Sequence, residues 1–248
     1  MSPSRALLAA VVAVQLAFPQ AVRGRPRAVR DRATRGVVAL MLAASVAETG
    51  QARGARRAAA LHGVAAALPF AAEVAGVATG GVFGPYRYGD GLGRRIAGVP
   101  LLAGAAWSLM ARPAWAVSGL LTRRPAPRVA AAAGALTAWD VFLDPRMARD
   151  GYWTWERPGR YEGIPASNYA GWLATSAALF AVWAHLDVDE DARDGSGDGA
   201  LALYTWTWAG ETAAHVLFWE RPRVAVAGGL AMGAFAVPAL RARLRGGR

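Results

Sequence analysis

The chain contains no cysteine, no lysine and only three histidines. Without cysteine there is no disulfide, no thiolate metal site and no cysteine nucleophile. The histidines, His62, His185 and His215, are scattered, whereas a membrane di-iron hydroxylase or desaturase needs several His-rich motifs. No metal site is therefore expected. Polar surface is also scarce: 54% of the 248 residues are hydrophobic and 18% charged, too few for a soluble domain of this size. All 28 basic residues are Arg, against 17 acidic ones, leaving a net charge of +11. Such a balance can signal nucleic acid. Here the arginines lie between apolar blocks and at both ends, as membrane topology demands, so no nucleic-acid partner is expected.

What the sequence does have is long apolar blocks. Blocks of about 20 residues match the ~30 Å hydrocarbon core at 1.5 Å per residue. They are too long, and alternate too little, for barrel strands, and lipid leaves helices as the other choice. The reading is one all-α domain over residues 1–248, a polytopic integral membrane bundle of seven or eight transmembrane helices in the cell membrane. The spans fall at about 6–22, 37–52, 58–80, 96–121, 129–144, 166–186, 200–219 and 224–240. The first resembles a signal peptide, but no small-x-small cleavage site follows, so it is read as a retained helix. Between the first two spans lies an Arg-rich loop, Arg23 to Arg35. The acidic stretch after residue 186 places Asp187, Asp189, Asp191 and Asp198 at EF-hand-like positions, but Ala192 stands where the glycine is needed, so a solvated loop is expected.

Sidedness follows from counting spans. The loops at 81–95 and 145–165 are two spans apart and must share a membrane face. The helix ends nearest that face carry Glu73, then Asp140 and Asp144, then His215 with Glu211 one turn deeper. An ionisable group inside a span costs ~2.5–3.5 kcal/mol on insertion scales, so it marks a functional site by default. Asp140 and Asp144, spaced i, i+4, share a helix face. Asp144 precedes Pro145, which suits a helix end at the interface, while Asp140 lies a turn deeper. Neighbouring carboxyls tend to have their pKa values pushed apart, giving one proton donor and one ionised partner. The loop Phe83-Gly84-Pro85-Tyr86-Arg87-Tyr88-Gly89 reads as an irregular turn. Its tyrosines, like the aromatics of Gly151-Tyr152-Trp153-Thr154-Trp155, suit either an interfacial belt or the lining of an apolar pocket. The aspartate pair also has some likeness to the motifs with which membrane prenyltransferases hold magnesium and diphosphate, but a second motif is missing.

Several of these segments, in fixed order, resemble the carotenoid biosynthesis membrane proteins, whose type members are carotenoid C-1 hydratases. They are Glu73 to Gly80 with Phe83 to Tyr88; Gly98-Val99-Pro100 with Trp107 and Met110; and Trp139-Asp140-Val141-Phe142-Leu143-Asp144-Pro145. This last runs on through Gly151 to Trp155, Gly163-Ile164-Pro165 and Ser167-Asn168-Tyr169. The likeness covers roughly residues 73–172.

The resemblance implies a cofactor-independent hydratase, with water as co-substrate, acting on the terminal C1–C2 double bond of an acyclic carotenoid. It also implies the lipid bilayer and other carotenoid biosynthesis enzymes as surroundings. On the physical reading, Glu73 and Asp140 are acid and partner in unassigned order, and Asp144 orients the water. Tyr86, Tyr88, Trp139, Trp153 and Trp155 shape the end-group pocket, and Asn168 hydrogen-bonds water or the new hydroxyl. A membrane prenyltransferase and a non-catalytic carotenoid or lipid carrier are the alternatives.

Overall fold

The structure, a computed structural model, describes residues 2–186 and 197–246. Eight helices account for most of them: α1 (Pro3–Val22), α2 (Arg27–Arg53), α3 (Ala55–Thr79), α4 (Leu101–Leu121), α5 (Pro125–Arg149), α6 (Ala166–Leu186), α7 (Asp198–Leu217) and α8 (Pro222–Gly246). The strands are short: β1 (Tyr86–Tyr88) pairs with β4 (Trp153–Trp155), and β2 (Arg95–Ile96) pairs with β3 (Val99–Pro100). The chain is therefore an all-α membrane bundle with a small β cap. Helices α1, α3 and α8 are long and apolar enough by themselves to cross a membrane. Others carry charge that the bundle buries, including Glu48 on α2, Arg112 on α4 and Asp140 on α5. Val226 and Leu230 face outward, as lipid-facing residues do.

Helix ends follow the local sequence. Pro125 opens α5, where its missing N–H costs nothing. Gly80, at φ 68°, closes α3 in the left-handed conformation that a side chain disfavours. Most helices run a few residues beyond the expected spans, and three boundary differences have a clear physical reason or bear on the site. The Arg-rich segment is not all loop: α2 starts at Arg27, because no proline lies between Pro26 and Gly54 and arginine is a good helix former. Residues 95–100 form the β2–β3 turn, so α4 begins only at Leu101. Finally, α5 does not end at Asp144 but runs through Pro145 to Arg149. A proline inside a helix frees the carbonyl four residues earlier. That carbonyl, on Val141, accepts the Tyr161 hydroxyl at 3.2 Å, so the helix continues and Asp144 is buried rather than interfacial.

The bundle is organised about α4 and α5. Helix α5 packs on α4, α6 and α8; α4 also meets α2, α3 and α7; α1 lies on α2. Small residues permit the closest approaches, as in other membrane bundles. A methyl at Gly171 of α6 would lie 2.7 Å from Phe83 Cδ1 and 3.0 Å from the Val82 carbonyl carbon. Because one obstacle is backbone, the loop after α3 would have to move. Gly171→Ala is expected to destabilise the solubilised protein by ~1–3 kcal/mol, the usual cost of overpacking. Thermal unfolding in detergent measures this, and an unchanged midpoint would contradict the packing.

The stretch with Asp187, Asp189 and Asp191 lies outside the described residues. Asp198 opens α7, and its carboxylate pairs in two-pronged fashion with Arg243 of α8 at 2.6 and 2.8 Å.

Candidate functional site

The β cap brings the two aromatic loops together. Antiparallel pairing sets Tyr86 opposite Trp155, Arg87 opposite Thr154 and Tyr88 opposite Trp153. Side chains alternate across a strand. Hence Arg87 and Thr154 point to the exposed side, while the two tyrosines and two tryptophans share the inner side. Their rings meet there: Tyr86–Trp155 centroids are 6.1 Å apart, Tyr88–Trp153 5.8 Å and Tyr86–Tyr88 5.4 Å. The Trp155 indole donates to the Phe83 carbonyl at 3.1 Å, and the Gly89 amide donates to the Tyr152 carbonyl at 2.7 Å, so the cap is tied at both ends. The loops that span-counting assigned to one face thus form one structure.

Beneath the cap lies Glu73, 5% exposed, two turns before the end of α3. Its Oε2 accepts the Tyr86 hydroxyl and the Tyr88 hydroxyl, the latter at 2.9 Å, and its Oε1 accepts the Trp107 indole N–H at 3.0 Å. One carboxyl therefore joins α3, β1 and α4. Burial first, then the nearby Glu73 charge, pushes both tyrosine hydroxyls above their ordinary range. They remain protonated donors at any ordinary pH.

A second carboxyl group of residues comes from α5. The Asn168 side-chain amide, in the first turn of α6, donates to Asp140 Oδ2 at 2.8 Å and also to Asp144 Oδ2. The two aspartates differ in what they face. Asp144, 2% exposed, lines the cavity described next; Asp140 is completely enclosed, does not line it, and its Oδ1 has no hydrogen-bond partner among the described residues.

That cavity has a volume of about 540 Å³ and is walled chiefly by apolar groups. Glu73, Asp144 and Asn168 line one end, together with Tyr86, Tyr88, Trp139, Trp153 and Trp155. It extends between α1, at Gln15, Leu16 and Phe18, and α7, at Trp206, Gly210, Glu211 and Ala214. Trp172 stacks on Trp107 with centroids 3.7 Å apart and meets Trp139 edge-on at 6.2 Å, forming one wall.

Of the catalytic and substrate-binding residues expected from the sequence, the cavity gathers all except Asp140, which lies behind Asp144 and Asn168. His215 is fully buried beside Phe142, with its Nδ1 on the Glu211 carbonyl at 2.9 Å, and it does not line the cavity. His62 belongs elsewhere, bridging Thr49 and Ser108 at 2.9 Å each. Sequence reasoning missed Trp107, Trp172, Gln15 and Trp206 as site residues. Trp172 was within reach: it lies one helical turn after Asn168 and so shares its face. The others depend on how α1, α4 and α7 pack.

A bundle of membrane helices enclosing carboxyl groups in an aromatic cavity defines the class: a membrane protein with an apolar-walled cavity edged by acids. The family described as carotenoid biosynthesis protein matches residues 33–236, and the chain belongs to that family. Bisanhydrobacterioruberin hydratase of Haloarcula japonica is 35% identical over 110 residues. That match takes in 42% of this chain and 37% of the relative's length. No solved structure matches the chain.

The asparagine bridge has a measurable consequence. Asn168→Leu removes the one amide shared by two buried carboxyl groups. It is expected to cost ~1–3 kcal/mol, the usual penalty for leaving buried polar groups unpaired. Thermal unfolding of the purified variant reads this out, and wild-type stability would show that the bridge does not hold the site.

Proposed function

We propose that this chain is a multi-pass enzyme of the cell membrane that adds water across the terminal C1–C2 double bond of an acyclic carotenoid, giving a tertiary alcohol. The observation that carries the reading is the convergence of Glu73 and Asp144, from separate helices, on one aromatic-walled cavity. Membership of the carotenoid biosynthesis family and the partial likeness to a named hydratase support the substrate class and the reaction.

The reaction places three demands on the site. One carboxyl in its acid form transfers a proton to C2, and the alkene electron pair forms the new C–H bond. The tertiary cation left at C1 is captured by a water oxygen, whose proton passes to a carboxylate. Water is thus consumed, and the two carboxyl groups end with the same total number of protons. Oxidation state does not change overall, so the reading calls for water as co-substrate and for no redox cofactor. Aromatic faces and an ionised carboxylate favour the passing positive charge.

We assign the roles by position: Glu73 and Asp144 meet the cavity beneath the aromatic cap, whereas Glu211 lines it from α7, and the first two are taken as acid and base. Asp140 acts as a positioning residue through Asn168. Trp139, Trp153 and Trp155 form the end-group pocket, and Tyr86 and Tyr88 orient Glu73. An extended acyclic carotenoid is about as long as the ~30 Å hydrocarbon core, so an end group held under the cap leaves the remaining chain among the helices and lipid.

General acid catalysis contributes typically ~10²–10⁴-fold. Glu73→Gln and Asp144→Asn are each expected to lower hydration by a factor in that range, with the protein still inserted. Asp140→Asn is expected to cost less. Pigment masses in a lycopene-producing host measure the outcome, because hydration adds one water per end group. Full activity in both Glu73→Gln and Asp144→Asn would overturn the mechanism. A protein that co-purifies with pigment and leaves its mass unchanged would be a carrier.

A further inference from the structure

A second cavity, of about 500 Å³, adjoins the first. The two share lining residues that include Phe18, Thr34, Arg146, Leu217 and Trp219, so they meet at a shared throat. Their linings differ in kind. The second is bordered by Arg23, Arg25, Arg30, Asp31, Asp150 and Glu220. These residues come from the α1–α2 connection, the start of α2, and the segments after α5 and α7. They are the polar ends of helices on the face that carries the cap. Mixed charges of both signs in an open hollow hold water, whereas a predominantly apolar cavity excludes it.

Arg146 stands at the throat. Its guanidinium lies 4.3 Å from the Trp219 ring centroid and 5.1 Å from that of Phe18, so it is held between α1 and the α7–α8 turn. Its Nε is buried and has no hydrogen-bond partner among the described residues. A buried guanidinium N–H left without a protein acceptor is satisfied most cheaply by water. Opposite, the Thr34 hydroxyl accepts a hydrogen bond from Tyr152 at 3.2 Å, adding a second polar group at the junction. Arg146 is also two residues beyond Asp144 on α5, and both line the apolar cavity.

We propose that the second cavity is an aqueous vestibule that feeds water to the carboxyl end of the apolar cavity, with Arg146 and Thr34 as its wetted throat. The role in feeding rests on the hydration reading; the existence of a water-filled vestibule does not.

The absence of native cysteine makes the test direct. Single variants Thr34→Cys at the throat, Arg25→Cys at the exposed rim and Leu230→Cys on the lipid-facing side of α8 are placed in nanodiscs. Each is treated with a negatively charged methanethiosulfonate reagent, and the adduct is followed by intact mass. Thr34→Cys is expected to react within roughly tenfold of Arg25→Cys, since thiol reactivity requires access to the aqueous phase, and Leu230→Cys to remain unmodified. Labelling of Thr34→Cys is then expected to lower hydration by roughly tenfold or more relative to the unlabelled variant. A Thr34→Cys thiol as inert as Leu230→Cys would overturn the vestibule. Rapid labelling with hydration unchanged would overturn its role in feeding water. A parent protein with no hydration activity would sink the hydration reading, and the vestibule is then judged on labelling alone.

Discussion

The site depends on the carboxyl of Glu73 and the three donors that meet it. A carboxyl group in a membrane helix is tolerated where protein, not lipid, surrounds it and supplies hydrogen bonds. Tyr86, Tyr88 and Trp107 supply them, and in doing so they fix the β cap and α4 relative to α3. The cap in turn sets Trp153 and Trp155 over the cavity, through a strand pairing only three residues long. So short a pair is too weak to stand alone in water. Here its inner side is anchored to a buried acid and its rings pack on one another.

The arrangement reconciles two opposing needs. An acyclic hydrocarbon requires an oily enclosure, while proton transfer requires groups that oil disfavours. The chain separates these by height in the bundle. Mostly apolar side chains from α1, α2 and α7 border the cavity, and Glu73, Asp144 and Asn168 meet it beneath the cap. Asn168 serves both aspartates because α5 and α6 pack closely, and Gly171, one turn on, allows α6 to reach the loop at Val82. The Glu48–Arg112 pair is a separate matter: its atoms lie 3.0 Å apart, joining α2 to α4 away from the cap. Neither residue lines the main cavity, so its role is in holding the bundle together.

Much of this was legible in the residues. Apolar block length shows the helices, and counting spans puts Glu73, Asp140, Asp144 and both aromatic loops toward one face. That parity needs no contact information, which is why it survives shifts of several residues at helix ends. The alternation Tyr86, Tyr88 against Trp153, Trp155 contains the period of a strand, yet segments so short carry no sign of their partner. The continuation of α5 past Pro145 was hidden because its remedy, the Tyr161 hydroxyl, lies in a distant loop. The distinction between Asp144 and Asp140 was equally hidden: both lie on one helix face, and only the packing of α6 decides which is covered. Gln15 on α1 and Trp206 on α7 look like ordinary members of apolar blocks, although the indole donates to the amide oxygen at 2.6 Å within the cavity wall.

The central claim is that Glu73 and Asp144 act on the same end group. An experimental structure of the protein in lipid with a bound acyclic carotenoid tests it most directly. The account predicts the terminal double bond beneath the aromatic cap, with a carboxyl oxygen of Glu73 or Asp144 at about 3–3.5 Å from C2, the carbon that is protonated. An end group lodged elsewhere, with both carboxyls turned away from it, would contradict the account.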